Sequence, residues 1–514
     1  MMNSSRRDFM GAVGMTTCAA WLAPYQRAKA AGVVSVAVQP DILFIMPDQM
    51  RGDCLSILGH SGVRTPHLDQ LALQGTLFTR AYTTCPSCIP ARYALLTGQH
   101  PQTSGVVGFE HKRVEVPTLP QLLTDAGYST FLVGRYMHQV PENNGYEKQI
   151  LGSVNVSDDD YDKYLRNAAP ESGGIKNLTD QLKISYNYAS AKPWPLAEEM
   201  HPVDWTVRES RKVVAEAPQD KPLFLTTSFY SPHPPLFPPA RYFDACRQRR
   251  QADPALGDWV DWDSLSPEEK VEGDRILFNK DLLRDVRCGY FGLIDQIDDQ
   301  IGSLIDEFKA RSQQANRPWV IIFSSDHGEM LGDHDYYRKC EPYEGSAHVP
   351  FIIAGSPELG FRAGLRSDSL VCLEDIMPTL LDLAGTQCPV PLDGVSLIPV
   401  LQGGDQNIRA LLQIEHAPCY SEAQAFLALT DGRFKYIWRP LDGSEQLFDL
   451  EKDPQENHDL SQDVGVDSRL KEWRDRMIQR LAGRPEGFSD GQKLIAGRLY
   501  LPIQNDTIKP ASGL

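Results

Sequence analysis

Cys88 is the residue of this chain whose position most clearly favours chemistry. Pro90 suits the first turn of a helix, and Gly98 is a typical residue for ending one. This arrangement places Cys88 at a helix N-terminus, where free backbone N–H groups and the helix dipole favour an anion. The pattern predicts an exposed nucleophile, and the alternative is a buried or disulfide-bonded cysteine beside an ordinary turn.

A carboxylate that could bind a metal ion stands at the end of a predicted strand. Residues 41–46 form a near-continuous apolar run, typical of a strand buried on both faces, and Asp48 and Gln49 follow it. Open α/β sheets gather their ligands at the carboxyl ends of the strands, and carboxylate oxygens bind hard divalent cations. Asp48 is therefore a candidate ligand, with an ordinary turn residue as the alternative.

Short apolar strands alternate with helices along the larger part of the chain. Strands are expected at 41–46, 129–134, 222–229, 319–324 and 350–354. A helix is expected at 66–74, and another carries the one-sided apolar set Ile294, Ile297, Ile301, Leu304, Ile305 and Phe308. The alternation predicts an α/β fold with a doubly wound, mostly parallel sheet flanked by helices.

A change in composition marks the C-terminal part of the chain. It follows a helix expected at 373–384 and a proline-rich stretch at 389–399. Hairpin strands are expected within 425–438 and 445–450, and then an amphipathic helix that carries Trp473 and Met477. We therefore expect a catalytic α/β domain at 31–400 and a smaller C-terminal α+β domain at 401–514, with an antiparallel sheet and a helix. The polar stretches 153–200 and 247–272 are interpreted as surface insertions near the pocket.

Charge and cysteine content exclude several classes of protein. The chain has 514 residues and a formal net charge of −17, so its average field repels nucleic acid and anionic membranes. An anionic substrate therefore needs a local cationic pocket. The 10 cysteines are too sparse for a disulfide scaffold, and their pairing is not readable. Cys85 and Cys88 form a Cys-x-x-Cys pair, which alone could suggest a redox or metal site.

The first residues are interpreted as an export signal. Ser5-Arg6-Arg7-Asp8-Phe9-Met10 resembles a twin-arginine motif, and a weakly apolar stretch at 11–24 and Ala28-Lys29-Ala30 follow it. We expect a signal peptide at 1–30, with cleavage after Ala30; the alternative is a disordered basic tail. No later apolar run reaches the length of a membrane span. The mature protein is expected in the periplasm or secreted.

Several motifs in order along the chain resemble those of one known family. They are Cys88-Ile89-Pro90-Ala91-Arg92, Pro232-His233-Pro234-Pro235, Ser325-Asp326-His327-Gly328, Tyr343-Glu344-Gly345-Ser346 and Asp431-Gly432-Arg433-Phe434-Lys435-Tyr436. Together they are similar to the formylglycine-dependent sulfatases of the alkaline phosphatase superfamily. In that family the cysteine is oxidised to Cα-formylglycine, whose hydrated aldehyde attacks sulfur. The unmodified thiol cannot perform that reaction.

The resemblance also implies a divalent metal ion, with Ca²⁺ suggested by the oxygen-rich ligands. The implied ligands are Asp48, Gln49, Cys88, Asp326 and His327. Gln49 stands where the family usually has a second acid, and His327 where Asn is frequent; choline sulfatases and phosphonate monoester hydrolases share both features. Glu329 and His334 are expected farther along a following helix, pointing away from the ion and supporting its ligands rather than binding it.

The implied catalytic residues are Cys88, Arg92, Arg135, His138, His233 and Lys339. Arg92, Arg135 and Lys339 are expected to surround the sulfate oxygens with positive charge. Either His233 or Lys339 is expected to protonate the departing alcohol. For His138 an ordinary, partly buried histidine is the alternative.

The resemblance implies a sulfatase that hydrolyses sulfate monoesters, with an extracellular sulfated carbohydrate as the expected substrate. A formylglycine-generating maturation enzyme is the expected protein partner, and neither nucleic acid nor a membrane span is expected. Three alternatives stay open: a phosphonate monoester or phosphodiester hydrolase, a choline or aryl sulfatase, and a catalytically inactive binding protein. The sequence names neither the sugar nor the linkage.

Overall fold

The fold is described here from a computed structural model over residues 38–138, 142–184, 189–261 and 280–504. The signal peptide expected at 1–30 lies outside these residues, as does the end of the insertion expected at 247–272. Among the helices in the described ranges, none combines the length and apolar character needed to cross a membrane.

Eight strands form one large sheet. In chain order they are β1 (Asp41–Asp48), β2 (Thr76–Tyr82), β3 (Ser129–Gly134), β4 (Lys148–Leu151), β5 (Leu223–Pro232), β6 (Trp319–Ser324), β7 (Phe351–Gly355) and β8 (Leu365–Cys372). Their spatial order is β4-β3-β5-β1-β6-β7-β2-β8. All neighbouring pairs are parallel except those of β7, which runs antiparallel to both β6 and β2. The predicted mostly parallel sheet is confirmed, and the strand expected at 350–354 is its antiparallel member.

The helices cover both faces of this sheet. They are α1 (Pro66–Gln74), α2 (Cys88–Thr97), α3 (Pro101–Ser104), α4 (Leu119–Asp125), α5 (Asp160–Ala168), α6 (Ile175–Leu182), α7 (Pro202–Glu216), α8 (Ala240–Arg247), α9 (Lys280–Gln314), α10 (Glu344–Ala347), α11 (Ile376–Ala384) and α12 (Ile398–Leu401). The helix expected at 373–384 is shorter, because a 3-10 turn occupies Leu373–Asp375.

The central strand β1 shows how the two cores are divided. Leu43 and Ile45 pack on one face with residues of α1, α7 and α9, whereas Phe44 and Met46 pack on the other with residues of α2, α4 and α11. Side chains of a strand alternate between faces, so a fully apolar strand must be covered on both. All eight residues of β1 are buried.

A separate antiparallel sheet forms the C-terminal part. Its strands are β9 (Leu412–His416), β10 (Phe426–Thr430), β11 (Phe434–Trp438) and β12 (Glu445–Asp449), in the order β12-β11-β10-β9. Helix α13 (Asp467–Leu481) covers one face through Trp473 and Met477, and the other face packs against residues of the large sheet such as Tyr82. The smaller α+β part is confirmed. The boundary at residue 400 stays a prediction and falls within α12.

Candidate active site

The candidate site lies where the carboxyl ends of β1 and β6 meet the start of α2. Asp48 ends β1, Asp326 follows β6 closely, and Cys88 begins α2. Cys88 is only 4% exposed, so the expectation of an exposed nucleophile is wrong. Its side chain instead lines the base of a cleft of about 480 Å³, because the residues after β3, β5 and β9 build walls around it.

Arg92 joins the two carboxylates. It lies one helical turn after Cys88, on the same side of α2. Its Nη2 lies 2.8 Å from Oδ2 of Asp48, and its Nε lies 2.8 Å from Oδ2 of Asp326. All three side chains are almost completely buried. Two neighbouring carboxylates can share this space because one guanidinium offers separate donors to each.

The remaining carboxylate oxygens face a common point. Oδ1 of Asp48 lies 3.9 Å from Nε2 of His327, and Oδ1 of Asp326 lies 3.8 Å from that nitrogen. Nδ1 of His327 donates to the carbonyl of Gly328 at 2.8 Å, so the neutral form of the ring presents its lone pair at Nε2. One ligand atom from each of Asp48, Cys88, Asp326 and His327 lies within 4.8 Å of the others. This donor set fits one divalent cation.

Gln49 is oriented by Glu329, an acidic residue that the sequence analysis placed behind the metal ligands. The Gln49 amide nitrogen donates to the Glu329 carboxylate, which leaves the amide oxygen on the side of Lys339. The expectation that Glu329 lies on a following helix is wrong, since residues 325–332 are non-helical, and His334 lies in a single 3-10 turn at Asp333–Asp335. His334 does point away: its Nδ1 accepts from the Gly257 backbone at 3.0 Å.

Lys339 contacts the position of the nucleophile. Its Nζ lies 3.1 Å from Sγ of Cys88 and 2.9 Å from Oε1 of Gln49. Burial lowers the pKa of Lys339, but Cys88 and Asp48 more than offset this and raise it. Burial and Asp48 raise the pKa of the Cys88 thiol, yet Lys339, Arg135 and His327 together bring it down to about 7. In an enzyme whose Cys88 has been converted, a formylglycine hydroxyl takes the place of Sγ. The cations that lower the pKa of the thiol would therefore favour an anion at that place.

Arg135 and His233 form another part of the cleft wall. Arg135 is in ion-pair contact with Asp48 and stacks over Tyr230 at 4.8 Å. Nδ1 of His233 donates to the Pro234 carbonyl at 2.6 Å, so Nε2 is the nitrogen that can take a proton. Burial, Lys339 and Arg135 hold the pKa of His233 well below its usual range. The free enzyme therefore holds His233 neutral.

His138 lines the same cleft, but Lys112 and His111 are its neighbours rather than the carboxylates. Its Nε2 donates to the Lys112 carbonyl at 2.8 Å, and its ring lies 5.2 Å from that of His111. The structure thus gathers Asp48, Gln49, Cys88, Asp326, His327, Arg92, Arg135 and Lys339 around one point, with His233 and His138 on the wall above. Their individual roles stay predictions.

The sequence did not reveal the rest of the cleft wall. The additional lining residues are Ile89, Phe109, His111, Tyr136, Met137, Asn155, Tyr230, Cys419 and Tyr420. Tyr230 and Tyr136 adjoin motifs that were singled out. No motif marks Cys419 and Tyr420, because they reach the cleft from the C-terminal part of the chain.

Strand β9 of the C-terminal sheet also supports the loop that leads to Cys88. The backbone N–H of Glu415 donates to the carbonyl of Thr84 at 2.9 Å. Oγ of Ser87 lies 2.7 Å from Nε2 of His416. His416 was left unassigned from the sequence; it is fully buried, and burial lowers its pKa to about 4. The residues before the nucleophile are therefore held from both parts of the fold.

The fold and the site together have the form of a hydrolase of the alkaline phosphatase type, with a candidate nucleophile at the start of a helix beside a candidate metal-binding centre. The sulfatase family model matches residues 40–386, and the model for the N-sulphoglucosamine sulphohydrolase C-terminal region matches residues 332–482. The chain belongs to the sulfatase family. It is an enzyme that hydrolyses sulfuric esters, and its family generally uses a metal ion and formylglycine.

One relative supports the family, and two solved structures share the fold. The arylsulfatase of Clostridium perfringens (strain 13 / Type A) is 35% identical over 482 residues, covering 90% of this chain and 98% of the relative. The crystal structure of a phosphonate monoester hydrolase of Agrobacterium radiobacter superposes with a TM-score of 0.69 at 23% identity, covering 86% of this chain and 95% of that one. A structure solved with its substrate D-glucosamine-2-N,6-O-disulfate superposes with a TM-score of 0.67 at 20% identity, covering 86% and 97%.

Proposed function

We propose that this sulfatase removes sulfate from a sulfated carbohydrate of extracellular origin, after export to the periplasm or the medium. The export motif at residues 5–10 supports the location. The observation that carries the substrate class is the cleft above Cys88: among the residues that the structure describes, none of its lining side chains is a carboxylate. Arg92, Arg135 and Lys339 supply positive charge there in a chain whose net charge is −17. The sulfated amino sugar named as substrate of the structural neighbour agrees with this class.

Ca²⁺ is the proposed metal ion, and the proposed ligands are Asp48, Gln49, Asp326, His327 and the side chain at position 88. Oxygen atoms dominate this set, which suits a hard cation. When bound, the ion and the formylglycine formed from Cys88 supply a charge-neutralising centre and an oxygen nucleophile. Arg92 keeps the two carboxylates in place through its 2.8 Å contacts, and Glu329 fixes the amide of Gln49.

The two proton-transfer roles are proposed to fall on different residues. Lys339 holds a proton at Nζ, because its pKa is raised, and it lies beside the nucleophile position. His233 is neutral in the free enzyme, because its pKa is lowered, so Nε2 can accept a proton. Lys339 is therefore the proposed donor to the leaving oxygen, and His233 is the proposed group that takes up a proton afterwards.

The maturation enzyme is proposed to act before the catalytic fold closes. Cys88 is buried beneath the cleft walls, and residues 84–87 are held by β9. A modifying enzyme needs this segment in an extended form, which the folded chain does not offer. The proposed partner is therefore a formylglycine-generating enzyme that binds the unfolded segment around Cys88.

A panel of desulfation assays tests the proposal. Converted, metal-loaded enzyme is incubated with defined sulfated mono- and disaccharides, choline sulfate, nitrophenyl sulfate and a phosphonate monoester, and released sulfate or phosphonate is measured. We expect the highest kcat/KM on one of the sulfated sugars. Preference for the phosphonate, which Gln49 and His327 would permit, or for choline sulfate contradicts the carbohydrate assignment. Cys88→Ala is the inactive control, and binding without turnover by the wild type would indicate an inactive binding protein.

A further inference from the structure

Two cysteine side chains are neighbours at the wall of the catalytic cleft. Cys340 directly follows Lys339, and Cys419 lies just after β9 in the C-terminal part. Each of these side chains shifts the pKa of the other, as neighbouring thiols do. Cys340 is fully buried, whereas Cys419 is half-buried and lines the cleft. A reagent that enters the cleft therefore reaches the sulfur of Cys419 first.

The backbone on both sides of the pair is already held in place. The N–H of Cys340 donates to the carbonyl of Pro86 at 2.9 Å, next to the nucleophile. Nε2 of Gln424 donates to Oε1 of Glu341 at 3.0 Å, and Oε1 of Gln424 accepts from the backbone N–H of Tyr420 at 2.9 Å. The segment carrying Lys339 and the segment carrying Cys419 are therefore joined through Gln424. The two sulfurs are therefore carried by segments that are already tied to each other, as a disulfide between them requires.

We propose that Cys340 and Cys419 form a disulfide bond that fastens the C-terminal wall of the cleft to the segment bearing Lys339. The oxidant is a small disulfide such as oxidised glutathione. The thiolate of Cys419 attacks one of its sulfurs and releases one glutathione thiolate. The thiol of Cys340 then loses its proton and attacks the Cys419 sulfur, which releases the second glutathione. The protein loses two hydrogens, and two molecules of reduced glutathione are formed.

The chemistry of the two thiols agrees with this order of attack. The neighbouring Cys340 thiol lowers the pKa of Cys419, burial opposes this, and Lys339 lowers it further. Burial and the neighbouring Cys419 raise the pKa of Cys340. The accessible thiol is thus the one that ionises more readily, and the thiolate is the attacking form.

A second pair of thiols provides a contrast. Cys246 and Cys288 are also neighbours, since Nε2 of Gln251 lies 3.4 Å from the sulfur of Cys246 and 2.8 Å from that of Cys288. Both side chains are fully buried between α8 and α9, and neither residue is among those that line the cleft. Two neighbouring thiols are therefore not sufficient for disulfide formation in the folded enzyme, because an oxidant cannot reach Cys246 and Cys288.

The test is a disulfide map of the purified full-length enzyme. One sample is kept reduced, another is treated with oxidised glutathione, and both are alkylated under native conditions and digested without reduction. We expect a linked peptide pair that joins Cys340 to Cys419 in the oxidised sample, with a mass loss of about 2 Da. Alkylation of Cys419 should fall at least about tenfold, because a sulfur in a disulfide does not react with the reagent. Cys388, which is exposed to a similar degree, should be alkylated equally in both samples.

The variants make the result specific. Cys340→Ser should leave Cys419 as a stable mixed disulfide with glutathione, and Cys419→Ser should give no linked peptide. Cys246→Ser is the matched control and should retain the link. The proposal is overturned if wild-type Cys419 is alkylated equally in both samples, stops at the mixed disulfide, or links to any cysteine other than Cys340. The wild-type map decides the question even if a serine variant does not fold.

Discussion

Nζ of Lys339 lies 3.1 Å from Sγ of Cys88, and both atoms are buried. Lys339 is thus a hydrogen-bond donor to the very position from which the nucleophile acts. The same ammonium group can stabilise an anion at position 88 or give its proton to a departing oxygen. These two roles predict different effects of a substitution at Lys339.

Lys339→Ala should reduce activity most on substrates with poor leaving groups. A sugar hydroxyl needs a proton in the transition state, whereas a nitrophenolate departs without help. We expect kcat/KM to fall about 10²- to 10³-fold on a sugar sulfate and at least tenfold less on nitrophenyl sulfate. Steady-state kinetics on both substrates measure this. Equal losses would remove Lys339 from the leaving-group role, and Lys471→Ala, at an exposed lysine, is the control.

The unconverted chain should show an acidic thiol at position 88. With a chelator present, alkylation of Cys88 should rise with pH around a midpoint of about 7, because the thiolate is the reactive form. Lys339→Ala should move this midpoint upward, since one of the cations that lower the pKa is lost. Peptide mass spectrometry at a series of pH values follows Cys88 separately from the other cysteines. A midpoint near 9 in the wild type would contradict the described electrostatics.

Asp326→Ala should abolish turnover through loss of the metal ion. A metal ion contributes several kcal/mol of charge stabilisation, so we expect kcat/KM to fall about 10³-fold or more. Metal content by elemental analysis should fall from one ion per chain to a small fraction. The fold should persist, because β1, β6 and the other candidate ligands remain. Turnover with full metal content would refute the ligand role, and Asp382→Ala, at an exposed site, is the control.

Arg92→Ala should destabilise the metal-free protein. The substitution leaves Asp48 and Asp326 without their shared partner at 0% exposure. Removing one partner of a buried ion pair typically costs about 3–5 kcal/mol. Denaturant unfolding of the chelated protein measures this free energy. We expect added Ca²⁺ to restore part of the lost free energy of unfolding, because the cation replaces some of the missing positive charge. An equal loss of free energy with and without Ca²⁺ would argue against an ion between these carboxylates.

Conversion of Cys88 should precede export. The twin-arginine route carries folded proteins, and the folded chain buries Cys88. Tryptic peptides from the cytoplasmic precursor should therefore already contain formylglycine at position 88. An unmodified cytoplasmic precursor together with converted exported enzyme would mean that conversion follows export.

The sequence predicts those parts of the site whose positions follow from secondary structure. Asp48 and Asp326 follow apolar strands, and parallel strands bring their carboxyl ends to the same edge of a sheet. Pro90 and Gly98 similarly delimit the helix that begins at Cys88. In these cases local propensity and the position of the site agree.

What the sequence could not predict depends on contacts between distant segments. Glu329 was expected on a helix, but its carboxylate accepts backbone N–H groups of Leu331 and Arg338 and holds that segment as a loop. Tyr420 reaches the cleft only because the C-terminal sheet packs against the large one. No periodicity or turn signal encodes such packing, so these residues lie outside the reach of local patterns.

The contact between β9 and the loop before Cys88 limits how this enzyme could be divided. A chain truncated before Leu412 would lose the N–H of Glu415 that holds Thr84 and the ring of His416 that holds Ser87. The catalytic sheet would then keep its strands but not a fixed nucleophile segment. Exchange of C-terminal parts between relatives would consequently alter the geometry of catalysis as well as the shape of the cleft.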